Sequence, residues 1–194
     1  LWVKSSLKYN LAMDKTYNHL AHEEKIYDLW EKSGAFAPKI EKGREPYTII
    51  MPPPNASDPL HIGHARFITI EDVLTRYHRM RGEPTLWLPG ADHAGIETQF
   101  VFEKKLKKEG KSRQDFDRST LYKMIWDYVL ENKSNMENQL RALGASCDWT
   151  RNKFTLDPEI IKIVNATFKK LYDEGLIYRG ERIINYCPRC GTAY

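Results

Sequence analysis

An α/β fold built on a parallel sheet is what this sequence predicts, and three observations predict it. Tyr47-Thr48-Ile49-Ile50-Met51 is a short apolar, β-prone run, and Thr85-Leu86-Trp87-Leu88 is a second. Between them lies a segment to about Arg81 in which Phe67, Ile70, Leu74 and Tyr77 recur at helical spacing. Strand, helix, strand in that order is a parallel crossover, right-handed by the general rule. In open sheets of this kind ligands bind beyond the carboxyl ends of the strands.

The elements follow in order. Residues 1–16 show no period and are expected to be disordered. His19 to Ser33 reads as an outer helix, with Leu20, Glu23, Ile26, Tyr27 and Trp30 at three- to four-residue steps and Gly34 ending it. His19 and His22 belong to its polar face. After Met51, three consecutive prolines cannot continue a strand ladder, so the chain must leave the sheet at Pro52. Asp58 is a good N-cap, which puts Pro59 at the first helical position. His61 and His64 then share one face of the opening turns, beside free backbone N–H groups and the positive dipole end, a place for phosphate. Gly63 carries no side chain, so a flat base or ribose can approach the backbone there. Ile68 and Val73 lie off the main stripe, so this helix should be covered on more than one side. Arg76, His78, Arg79 and Arg81 crowd its last turns, where cations suit the dipole, and Gly82 closes it.

A helix is expected from Gly95 to about Glu109. The basic run Lys104, Lys105, Lys107, Lys108, Lys111 and Arg113 reads as a solvated face, with contact to a nucleic-acid backbone as the other reading. Thr120 to about Gly144 is a long amphipathic helix whose stripe of Leu121, Ile125, Val129, Met136, Leu140 and Leu143 is assigned to the core. Asp157-Pro158-Glu159 opens another, with Ile160, Ile163, Val164, Phe168 and Leu171 as its apolar face and Gly175 as its stop. Leu176 to Tyr186 alternates like a strand or hairpin arm. Cys187-Pro188-Arg189-Cys190-Gly191 resembles one knuckle of a zinc ribbon, two thiolates on a tight turn, whereas zinc takes four ligands. Cys147, about 40 residues away, is a poor third. The alternative is two free cysteines.

Composition bounds the rest. The hydrophobic fraction of 41% and charged fraction of 29% are those of an ordinary globule, and 194 residues can bury a real core. A net charge of +4 points only weakly to a polyanionic partner. Three cysteines make no disulfide framework and suit a reducing, cytoplasmic compartment. No apolar run is long enough to span a membrane, and no signal peptide is recognised.

His61-Ile62-Gly63-His64, behind a strand and a Pro-Pro-Pro-Asn loop, resembles the first signature of class I aminoacyl-tRNA synthetases. Trp87-Leu88-Pro89-Gly90-Ala91-Asp92-His93-Ala94-Gly95-Ile96-Glu97-Thr98-Gln99 resembles the loop after the second strand in the valyl branch of that family. The likeness runs from about Tyr17 to Tyr194, and Met13 is therefore expected to be the natural start. Asp58-Pro59 departs from the Gly-Ser more common there. The resemblance implies a Rossmann-like nucleotide-binding fold. Residues 1–46 would be a lead and outer helix, 47–180 the first half of the catalytic domain, and 181–194 the start of a connective insertion. Nothing matches the Lys-Met-Ser-Lys-Ser loop of the second half, so the chain is expected to be the N-terminal portion of a longer enzyme, with editing placed in the remainder.

The resemblance also implies a valine–tRNA ligase that works as a monomer, joining valine to ATP and then to tRNA(Val). Its ATP site would use His61, Gly63 and His64, with the two histidines catalytic. Its amino-acid site would use Pro52, Pro53, Asn55, Asp92, His93 and Gln99. Mg²⁺ would ride on the ATP phosphates, and Cys187 and Cys190 would supply half of a zinc site. Two other readings remain open. One is a free-standing small nucleotidyltransferase using the same histidine pair. The other is a non-catalytic module binding tRNA through Lys104–Arg113.

Overall fold

The computed structural model describes residues 15–188 and 191–193; Met13 and Cys190 lie outside them. The order is α1 (His19–Lys32), β1 (Tyr47–Ile50), α2 (Ile62–Met80), β2 (Thr85–Leu88), β3 (Gly90–Ala91), α3 (Gly95–Lys108), α4 (Arg118–Leu143), β4 (Lys153–Phe154), α5 (Pro158–Asp173), β5 (Tyr186–Cys187) and β6 (Thr192–Ala193). β1 and β2 pair in parallel, Tyr47 opposite Thr85 and Ile50 opposite Leu88. β2 and β3 are one line of chain interrupted at Pro89, which has no N–H to give to a ladder. Beyond it β3 pairs in parallel with β4, Gly90 opposite Lys153 and Ala91 opposite Phe154. The middle strand therefore has β1 on one flank and β4 on the other, and all three run the same way. The predicted parallel α/β architecture is present, with β4 as a third strand that no periodicity announces.

α4 contributes to both core clusters of the sheet. Asp117 caps it, accepting from the N–H groups of Ser119 and Thr120, and Gly144 ends it at φ +87°. Its buried Leu140 joins Met51, Ile68, Trp87, Ala145 and Cys147 in one core cluster. Its Val129 and Met136 pack with Ala56, Ala91 and Phe154 in a second, directly under the loops that leave β1 and β3. Trp87 is fully buried, an aromatic burial worth about 3 kcal/mol, and its Nε1–H is satisfied by Glu71 at 2.9 Å. Burial lifts the Glu71 carboxyl above its usual range, the Trp87 hydrogen bond opposing. Burial likewise holds the Cys147 thiol protonated and unreactive at neutral pH. α1 closes the outside, where Tyr27 donates to the Ala145 carbonyl at 2.7 Å and accepts from Trp149 Nε1.

Four expectations are corrected. α2 begins at Ile62 with His61 as its N-cap, not at Asp58-Pro59. Contacts from α4 hold the intervening loop, turned at 56–57 and bent at Asp58, out of the helix: Leu60 N–H donates to Gln139 Oε1 at 2.9 Å, and the Ser57 carbonyl accepts from Tyr128 Oη at 3.0 Å. Second, the stripe of α2 is largely outside. Ile70, Val73, Leu74 and Tyr77 are exposed, while the buried face carries Ile68 and Thr75. Polar neighbours on that face are satisfied by tertiary partners: Arg79 bonds the carbonyls of Phe36 and Ser146, Arg76 that of Gly144, and Asp72 accepts from Ser146 N–H. Arg76 and Arg79 thus serve packing rather than the helix dipole. Third, α5 spans the expected residues but buries none of them, and Ile163, Val164 and Phe168 are exposed; Leu143 of α4 is exposed as well. Fourth, 176–185 is irregular rather than a strand. Only Tyr186–Cys187 pairs, antiparallel with Thr192–Ala193, with Gly191 N–H donating to the Cys187 carbonyl.

Candidate functional site

The loops leaving β1 and β3 are laced together by backbone bonds. Asp92 N–H donates to the Pro54 carbonyl at 2.9 Å and Ala56 N–H to the Asp92 carbonyl at 2.8 Å, a parallel bridge between Asn55 and Asp92. Two stretches predicted to share one crevice are therefore adjacent at the carboxyl ends of neighbouring strands. Pro53 packs close to Gly90: a Cβ built on Gly90 would lie 3.5 Å from Pro53 Cβ and 3.3 Å from the Lys153 carbonyl oxygen. Pro52 and Pro53 are exposed and form one side of the opening, while Pro54 is buried beneath it.

On the α2 side, the two histidines close a reciprocal cap. His61 Nδ1 accepts from Gly63 N–H at 3.0 Å, and His64 Nδ1 accepts from His61 N–H at 3.2 Å. A backbone N–H can only donate, so each Nδ1 must carry a lone pair and each neutral ring keeps its proton on Nε2. The rings lie 4.0 Å apart. Burial, with the neighbouring His61, pushes the His64 pKa below the ordinary imidazole value, which favours the neutral ring that the cap requires. The space above Gly63 is taken by the His61 ring itself, since a Cβ there would sit 2.7 Å from His61 Cε1. The turn thus presents two Nε2–H donors at a helix N-terminus.

The loop after β3 is built for accepting. Asp92 Oδ1 accepts from His93 N–H at 2.8 Å and from Thr155 Oγ1 at 3.0 Å. Ala94 adopts a left-handed conformation, φ 42°, which turns the chain sharply into α3. Thr98 Oγ1 holds that turn by donating to the His93 carbonyl at 2.7 Å. Asn55 Nδ2 donates to Glu97 Oε2 at 2.9 Å; a carboxylate only accepts, so the amide's nitrogen end is committed there and its carbonyl oxygen is the end left to accept. Gln99 is not brought in: its amide donates to Glu103, one turn down its own helix. Glu97 and Thr155 are partners that sequence reasoning missed. Glu97 lies five residues after Asp92 in the same motif, so its acceptor is a local signal. Thr155 lies 63 residues from Asp92 and carries no local signal.

A concavity of about 710 Å³ lies elsewhere, between α1 and α4, lined by His19, Glu23, Asp28 and Arg141 among others. Over the strand ends, by contrast, a helix end, the acceptor loop and the strand termini come together among the described residues. The predicted zinc knuckle is only half described, since Cys190 lies outside the described residues. No group of three or more His, Cys, Asp or Glu side chains is assembled among them, and Cys147 is sealed in the core. Among them no helix is long and apolar enough to cross a membrane.

Comparison with known proteins bears directly on this geometry. Residues 25–194 match the family model of tRNA synthetases class I (I, L, M and V). The chain is 51% identical over 181 residues to a valine–tRNA ligase of Dehalococcoides mccartyi, covering 93% of this chain and 21% of that protein. It is 49% identical to the chloroplastic/mitochondrial valine–tRNA ligase 2 of Arabidopsis thaliana, covering 92% and 18%. Among solved structures it is similar to Agrobacterium radiobacter K84 agnB2 LeuRS, crystallised as a ternary complex with tRNA and LeuAMS. The TM-score is 0.76 at 22% identity, over 92% of this chain and 21% of that one, a likeness of fold. The chain thus spans about a fifth of the length of the relatives it matches.

Proposed function

The chain belongs to the class I tRNA synthetases, and from that premise we propose that its strand-end crevice holds the ATP and valine of a valine–tRNA ligase. The observation that carries the proposal is the Asn55–Asp92 bridge, which sets a donor turn and an acceptor loop side by side. In the first step a valine carboxylate oxygen attacks the α-phosphorus of ATP and pyrophosphate leaves. The substrate is its own nucleophile, so the protein's work is positioning and charge stabilisation. His61 and His64 direct Nε2–H groups at the phosphoryl oxygens, where charge accumulates, and the end of α2 adds its dipole. Gly63 leaves room for the nucleoside once the His61 ring moves onto phosphate.

Asp92 meets the valine ammonium with a charge-assisted bond, with the Asn55 carbonyl oxygen as second acceptor. Pro52 and Pro53 wall the small branched side chain, and His93 lines the acceptor side. Gln99 would line it only by releasing Glu103. Mg²⁺ enters with ATP, on its phosphates. In the second step the 3′-terminal ribose hydroxyl of tRNA(Val) takes the acyl group and AMP leaves. A pocket of this kind rejects threonine, nearly isosteric with valine, only weakly; the general figure of about 10² comes from a valyl enzyme itself.

The test is amino-acid-dependent ATP–pyrophosphate exchange, run with valine, leucine and isoleucine on wild type, His64→Ala and Asp92→Ala. Exchange driven by valine and lost in both variants is the expected result. Exchange that survives in both variants overturns the site.

A further inference from the structure

Thr155 completes a relay that no sequence motif marks, and we propose that it is the positioning residue that sets His93 as a hydrogen-bond acceptor beside Asp92. Its hydroxyl has one proton and two lone pairs. Three partners surround it: Asp92 Oδ1 at 3.0 Å, His93 N at 3.1 Å and His93 Nδ1 at 2.8 Å. An ionised carboxylate can only accept, so the hydroxyl proton goes to Asp92. A backbone N–H can only donate, so it takes one lone pair. The remaining lone pair faces His93 Nδ1, which must therefore carry the proton. The hydroxyl is saturated, and a ring with one proton then has it on Nδ1 and a bare Nε2.

This is the opposite tautomer from the one the cap imposes on His61 and His64, whose Nδ1 atoms accept and whose Nε2 atoms donate. None of these bonds uses Asp92 Oδ2 or His93 Nε2. With the Asn55 carbonyl oxygen, oriented by Glu97, the acceptor side offers three free acceptors to a group that has only donors. A primary ammonium is such a group, with three N–H donors and none accepting. The role of the relay toward substrate rests on the proposed amino-acid site; the tautomer itself does not. Thr155 reaches the loop because β4 pairs with β3: Thr155 N–H donates to the Ala91 carbonyl at 3.1 Å, one residue before Asp92.

Two measurements test it, and they fail separately. Long-range ¹H–¹⁵N spectra of the histidine side chains in the wild-type chain are expected to show His93 as the Nδ1–H form, with His61 and His64 as Nε2–H. An Nε2–H His93 overturns the proposal. In valine-dependent exchange, Thr155→Val is expected to raise the valine KM by about ten- to hundredfold, as for a lost hydrogen bond to a charged group, with the ATP KM unchanged. Thr155→Ser, which keeps the hydroxyl, restores the wild-type valine KM. Equal changes in both KM values, or none, overturn it. A Thr155→Val chain that does not fold leaves Thr155→Ser and the wild-type spectrum to decide. If wild type shows no exchange with any amino acid, the spectrum alone decides the relay.

Discussion

The two loops that face each other across the strand ends are built on opposite principles. The His61–His64 turn is assembled from itself: its acceptors and donors lie within four consecutive residues at the start of one helix. The Asp92–Ala94 loop is assembled from afar, by Pro54 and Ala56 on one flank and Thr155 on the other. A local turn keeps its geometry wherever its helix goes. A tertiary loop exists only when three strands are in register. The chemistry divides along the same line, with hydrogen-bond donors on the local turn and acceptors on the assembled loop.

The largest expected effect comes from removing a donor. His64→Ala should lower the exchange rate by about 10²–10³, the loss seen for one preorganised oxyanion donor, with the valine KM nearly unchanged. Asp92→Asn should do the reverse in kind. It keeps the shape but removes the charge, and the valine KM should rise by about ten- to hundredfold with the ATP KM preserved. If both variants act on the same parameter, the division of labour between the loops is wrong.

Adding one methyl to each loop asks the same question of stability. Gly90→Ala places a Cβ 3.3 Å from a backbone oxygen of the paired strand, which cannot easily give way. Denaturant melts should show a loss of about 1–3 kcal/mol, as for overpacking. Gly63→Ala places its Cβ against the His61 ring, the far end of a rotatable side chain. The lost cap costs about 1 kcal/mol and the better helix former returns about as much, so the net should be within about 0.5 kcal/mol. A larger loss at Gly63 than at Gly90 would contradict the local character of the first turn.

The smallest effect is a pH dependence. Burial lowers the His64 pKa in the folded chain, so the unfolded chain binds the proton more readily. The stability this group contributes is fully present above its unfolded value near 6.5 and is lost as pH falls through that value toward the lower folded one. The stability gap between wild type and His64→Ala should therefore narrow between pH 7.5 and 5. An imidazole titration curve for His64 with a midpoint above 6.5 would contradict it.

Legibility followed the same division. α1, β1, β2, α4 and α5 were readable because each carries its own signal: a β-prone run, a 3.6-residue period, Asp157-Pro158 at a start or Gly144 and Gly175 at a stop. The His61–His64 pair was readable because a cap is local, though its register was not. Asp58-Pro59 obeys every local rule for a helix start, yet Gln139 and Tyr128 hold that loop out of the helix. The inner face of α2 was misread because the period of apolar residues locates a core only when the core is apolar. Here Asp72, Arg76 and Arg79 turn inward, with their hydrogen bonds met by Ser146, Gly144 and Phe36. β4 and Thr155 were invisible, since two residues have no period and Thr155 acquires its role only through β3.

By itself, then, the sequence determined the α/β class, the helices, the donor turn and the pair of loops that belong to one family, because each is written in neighbouring residues. Only the tertiary structure decided where α2 begins, which way its polar face turns and what holds Asp92 and His93. Those depend on hydrogen bonds between residues scores of positions apart, and a bond of that span leaves no trace in local spacing. It forms because a buried donor or acceptor without a partner costs about 1–3 kcal/mol, enough to override any local preference for capping or propensity.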